Sequence, residues 1–143
     1  MSKFVAVIVF CVSMMAICTE LLFVLMLGLK VWAHMVYMVI AFALLGYGIG
    51  SNIYLILKDR IDKVDPVLVV TGALCYLATA TIISFQMIPR VPLSMPSLTT
   101  EWLFQLTVIQ IIVALPFVGY GFLLAFLFTC DVQRSSRLYF WDL

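Results

Sequence analysis

The chain has 143 residues, of which 66% are hydrophobic and 10% charged, and its formal net charge is +1. A soluble domain carries about a quarter charged residues, so a water-soluble globule is excluded. The small net charge also excludes the basic face that a nucleic-acid partner would need. Nearly every residue belongs to one of four apolar runs or to a short connector, which leaves no space within these residues for a soluble catalytic domain.

The first run is Phe4–Leu27. It follows Lys3, as a signal peptide would, but its length exceeds a signal h-region and no small-x-small cleavage site precedes a polar start. It reads as a retained membrane helix, long enough for a ~30 Å hydrocarbon core. A tight turn at Gly28-Leu29-Lys30 is expected to lead into the second run, Val31–Leu57. The third run, Val67–Ile88, is opened by Asp65-Pro66, and proline suits a first helical turn because its missing N–H is not needed there. Pro89, Pro92 and Pro96, with Ser94, Ser97, Thr99 and Thr100, then predict an extended loop before the fourth run, Trp102–Thr129. Trp32, Trp102, Tyr139 and Trp141 fall near run ends, as an aromatic belt predicts.

These runs predict an all-α, integral membrane, four-helix polytopic bundle with the lipid bilayer around it. With the N-terminus inside, Lys3, Lys58, Arg60, Lys63, Arg134 and Arg137 are cytoplasmic, against Lys30 and Arg90 outside. Cytoplasmic connectors carry the excess of Lys and Arg, so the expected topology is N-in and C-in. Short loops and sparse charge fit a bacterial cytoplasmic (inner) membrane.

Glu20 is the only carboxylate inside the four runs. A charged group at membrane depth costs ~3 kcal/mol or more, and such residues face protein or water. Glu20 lies about two turns before the outer end of run one. With the tight turn, it should face roughly residue 38, with His34 about one turn nearer the surface. A Glu20–His34 contact, direct or through water, is then within reach, and two readings follow: a proton- or cation-binding site of Glu20 and His34, or a protonated or hydrogen-bonded glutamate that fixes helix packing. His34 is the only histidine, and haem and zinc sites need further strong ligands, so no metal or cofactor is expected. Cys11 and Cys18 share a helical face but sit ~10 Å apart along the axis, too far for a disulfide; with Cys75 and Cys130 they are expected to be buried, inert thiols.

Gly46 and Gly50 form a GxxxG, which allows close helix packing; no strand precedes it, so it is not a dinucleotide loop. Gly46-Tyr47-Gly48 recurs as Gly119-Tyr120-Gly121. Pro116 lies within run four, where proline frees a carbonyl and is expected to kink the helix. Thr71, Thr79, Thr81 and Ser84 in run three can bond to their own helix or across to another. The loop from Lys58 to Asp65 is dense in both charge signs and loosely resembles the cytoplasmic loop between the second and third helices of major-facilitator transporters.

Several of these residues together resemble the multi-pass domain of membrane-bound spermidine synthase-like proteins. The stretch from Ser13 to Gly28, with Glu20 inside it, matches that family's glutamate late in the first helix and glycine after it. Phe42 to Ser51, with Gly46 and Gly50, is similar to its glycine-rich second-helix end. Leu115-Pro116-Phe117 with Gly119 or Gly121 resembles its fourth-helix motif, and Tyr139 to Leu143 the opening of its next helix. Ser13-Met14 departs from the family's usual Ser-Gly. The sequence stops at Asp142-Leu143, where the family continues into more helices and an aminopropyltransferase domain, whose nucleoside loop and acidic catalytic residues are not in this sequence. The resemblance therefore implies a membrane half without its enzyme, either a truncated product or a stand-alone relative recruited as a membrane subunit.

Three functions are in competition. The first is a non-catalytic membrane subunit or scaffold, bound to other membrane protein subunits. The second is a small proton-coupled transporter: four helices with a glutamate in the first resemble small multidrug resistance exporters, in which two copies pair as a homodimer. The third is an enzyme, and no Ser/His/Asp set, carboxylate pair or phosphate loop supports it.

Overall fold

The computed structural model describes residues 2–30, 36–91 and 100–130. They form four helices: α1 (Ser2–Lys30), α2 (Val36–Ile61), α3 (Pro66–Arg90) and α4 (Thr100–Cys130), and no strand occurs among the described residues. All four are long and apolar enough to cross a membrane. In lipid a backbone must satisfy its own hydrogen bonds, and a continuous helix is the simplest way to do so.

The helix limits differ from those the sequence suggests, for local reasons. α1 runs through Gly28 and Leu29 to Lys30, so the expected tight turn there is helix. One glycine costs a helix only ~1 kcal/mol, and no proline interrupts. Pro89, expected in the loop, lies in the last turn of α3. α4 starts at Thr100, with Glu101 in its first turn, where a carboxylate meets the positive end of the helix dipole. Lys58 and Arg60 occupy the last turn of α2, at the negative end. The α2–α3 link is then short: the Asp62 N–H donates to the Lys58 carbonyl at 2.9 Å and the Val64 N–H to that of Ile61 at 2.9 Å. Asp65 precedes α3, with Pro66 in the first helical turn, and its carbonyl accepts from the Leu68 N–H at 2.9 Å.

α4 is the centre of the packing. Of its most apolar stretch 56% is buried within the protein, against 33% for α1, 28% for α2 and 22% for α3. Its most extensive contact is with α2, then α3, with α1 touching both α4 and α2 less broadly. Phe117 is the hub. Its ring lies 6.1 Å from Phe23 of α1 and 5.6 Å from Tyr47 of α2, and Phe23 stacks at 4.8 Å on Phe85 of α3. One aromatic cluster therefore ties all four helices together.

The α2–α4 seam explains the glycines. A methyl group on Gly46 would sit 2.6 Å from the Phe117 Cβ and 2.8 Å from the Ala114 carbonyl oxygen. One on Gly50 would overlap the backbone of Val118 and Phe122, and one on Gly121 the backbone of Tyr47. The two Gly-Tyr-Gly segments thus pack against one another. Residue numbers rise together along this seam, from Met38–Gln110 to Tyr54–Phe126, so α2 and α4 run parallel, as alternate spans must.

Candidate functional site

α1 presents Val9, Val12, Ala16, Thr19, Phe23 and Leu27 to the protein, a helical stripe. Glu20 lies beside this stripe and is half-buried. Its neighbour Thr19 carries a polar contact between α1 and α4. The Thr19 Oγ1 donates to the Met15 carbonyl at 2.7 Å and lies 3.0 Å from the Tyr120 hydroxyl. A threonine has one O–H to give, so with that proton on Met15 the Tyr120 hydroxyl is the donor to Thr19. Tyr120 is buried between Gly119 and Gly121.

Glu20 itself makes no hydrogen bond or ion pair with the described residues. His34 lies outside the described residues. The level expected for Glu20 is corrected by the longer α1. Thr19 meets Tyr120 and Phe23 meets Phe117, while Phe117 and Gly121 meet Gly46 and Tyr47 on α2. Glu20 is therefore level with the Gly46–Gly50 segment and not with Met38. Met38 instead accepts a hydrogen bond from Gln110 Nε2 at 3.0 Å, and it lines a small cavity with Leu27 and Gln110.

Pro116 lies inside α4, which continues to Cys130. A helical proline strips the carbonyl four residues earlier of its donor, here that of Ile112. Ser84 of α3, fully buried, donates its hydroxyl to the Ile112 carbonyl at 2.8 Å. The Tyr76 hydroxyl likewise donates to the Leu115 carbonyl at 3.1 Å. The polar groups around the proline are thus satisfied across the α3–α4 contact.

The remaining polar features offer no converging chemistry. A cavity of about 500 Å³ opens among α2, α3 and α4, lined by Ile53, Leu68, Gly72, Tyr76, Gly119 and Phe122 among others. Its lining is apolar apart from the Tyr76 phenol, and Glu20 is not part of it. The Gln105 Oε1 is buried without a partner among the described residues. No group of three or more His, Cys, Asp or Glu residues able to hold a metal occurs among the described residues. Cys11, Cys18 and Cys75 are free and exposed, contrary to the expectation of burial. On α1 the cysteines lie off the packed stripe, a distinction invisible in a helix apolar on all sides. Trp102, expected in an interfacial belt, is buried.

No family model, curated protein or solved structure matches this chain. Its functional reading therefore rests on its own residues. The sequence pattern does not single out Tyr120, which the geometry brings forward; it shows there only as the middle of a Gly-Tyr-Gly.

Proposed function

We propose that this chain is a non-catalytic integral membrane subunit, held by helix packing within a larger membrane protein assembly. One observation carries the reading: Glu20, in a membrane span, sits at the edge of the packed face of α1 with no polar partner among the described residues. A carboxyl group at that depth needs protein or water around it, and a helix of another subunit against α1 would supply it. Two interior polar pairs support the same reading, because they serve packing. Thr19 with Tyr120, and Ser84 with the Ile112 carbonyl, join helices and leave no convergent set that could act on a substrate. The resemblance to spermidine synthase-like membrane domains supports a membrane component whose chemistry lies elsewhere. In this reading the topology is N-in and C-in in a bacterial inner membrane, with the loop at Lys58–Asp65 on the cytoplasmic side.

The same carboxyl favours a second reading, a proton-coupled transporter in which the Glu20 groups of two copies act together. It predicts that Glu20→Gln abolishes proton-coupled transport while leaving folding intact. The two are separated by mild-detergent extraction of native membranes, native-gel separation and mass spectrometry of the band holding this chain. The subunit reading expects a stoichiometric complex with other membrane proteins. A lone homodimer overturns it and leaves transport as the reading to pursue.

A further inference from the structure

Three exposed threonines of the spans bond within their own helices. Thr71 donates to the Val67 carbonyl at 2.8 Å, Thr79 to that of Tyr76 at 2.9 Å and Thr107 to that of Leu103 at 2.9 Å. Asn52 on α2 differs. It is exposed and lies six residues before Lys58, ~9 Å along the helix, too deep for its short side chain to reach the head groups. Its Nδ2 donates to the Gly48 carbonyl at 2.8 Å, an oxygen already bonded by Ser51 Oγ at 3.0 Å. A carboxamide has two N–H groups and a carbonyl with two lone pairs. The second N–H and the Oδ1 have no partner among the described residues. Unmet polar groups in hydrocarbon cost several kcal/mol, so this amide calls for a protein partner.

We propose that the outer face of α2 at Gly48 and Asn52 is a homodimer interface, in which Asn52 of two copies pair across a twofold axis normal to the membrane. The occupant follows from the chemistry. A carboxamide is complementary to itself, and two copies inserted the same way present Asn52 at the same depth. A parallel, isologous α2–α2 contact therefore satisfies both amides at once, as a single buried asparagine does in parallel coiled coils. Gly48, one turn away, lets the backbones approach. A methyl group there would meet nothing within 4 Å, whereas Gly46 and Gly50 are taken up by α4. The exposed Leu45 and Ile56 supply apolar contact on either side. This interface is separate from the Glu20 face, and its test does not depend on a heterologous partner.

The experiment uses the full chain, purified and reconstituted in phospholipid vesicles. The monomer–dimer equilibrium is read by single-molecule photobleaching over a range of protein-to-lipid ratios. The association constant of Asn52→Leu is expected to fall about 3- to 20-fold, the range measured for interhelical hydrogen bonds, and that of Gly48→Ile to fall further. Both variants should resist unfolding about as well as wild type, because both positions are exposed and neither takes part in the contacts between helices. A wild type that stays monomeric at every ratio overturns the proposal. So does an Asn52→Leu variant that pairs as tightly as wild type, which would assign the amide to a different protein.

Discussion

The α2–α4 seam and the α1 flank use opposite means of association. Along the seam, glycines at 46, 50 and 121 bring backbones into direct contact, and Tyr54 packs edge-on against Phe122 and Phe126. Along the flank, α1 touches α4 through side chains, among them the aromatic pair Phe23 with Phe117 and the hydrogen bond of Thr19 with Tyr120. Within the seam and the α3 contact, Gln110, Tyr76 and Ser84 find partners inside the chain. On the flank, Glu20 finds none among the described residues. The difference teaches that apolar character alone does not tell an internal contact from an external one in a membrane protein. The placement of small residues and the fate of each polar group do.

The comparison can be broken at its hub first. Phe117→Ala removes the ring that joins α1, α2 and α4 and should cost about 3–5 kcal/mol, read as the loss of resistance to unfolding in mixed micelles; a cost below ~1 kcal/mol would mean the cluster is peripheral. Next comes the seam. Gly50→Ala places a methyl group into the Val118 and Phe122 backbone and should cost ~1–3 kcal/mol by overpacking. Gly48→Ala, two residues away with open space around it, should instead leave the monomer unchanged or slightly firmer. Equal penalties at the two glycines would contradict the seam.

The proline contact sharpens the same point at smaller amplitude. Ser84→Ala leaves the Ile112 carbonyl without its donor and should cost ~1–3 kcal/mol. In a Pro116→Ala background the helix supplies its own N–H to that carbonyl, so the Ser84→Ala penalty should shrink. A double-mutant cycle showing no coupling would separate the serine from the proline. The smallest effect belongs to the flank: Tyr120→Phe removes one interhelical hydrogen bond and should cost ~0.6 kcal/mol, measurable against wild type in the same unfolding assay.

Four spans were legible because their length and apolarity are set by the bilayer rather than by packing partners. Pro66 at the start of α3 was legible because its covalent geometry fixes its place. The inward face of each helix was not. α1 and α4 are apolar all round, so no period of hydrophobicity distinguishes Cys18, which is exposed, from Thr19, which is buried. The level of Glu20 was missed for a related reason. Gly28 reads as a turn signal in water, yet helix continues through it, and the α1–α2 register shifts accordingly. The use of Ser84 was open in the sequence, since a serine can bond within its helix or beyond. Only the position of the Pro116-freed carbonyl decides it.

In the proposed function, the Glu20 edge of α1 meets another protein. Val24, half-buried and one turn from Glu20, is the position at which to place a photo-activatable cross-linking residue, with the full chain in its native membrane. The account predicts a cross-linked band heavier than the chain alone, containing a second, different membrane protein by mass spectrometry, and weakened by Glu20→Leu. Adducts only to lipid, or only to another copy of this chain, would contradict it.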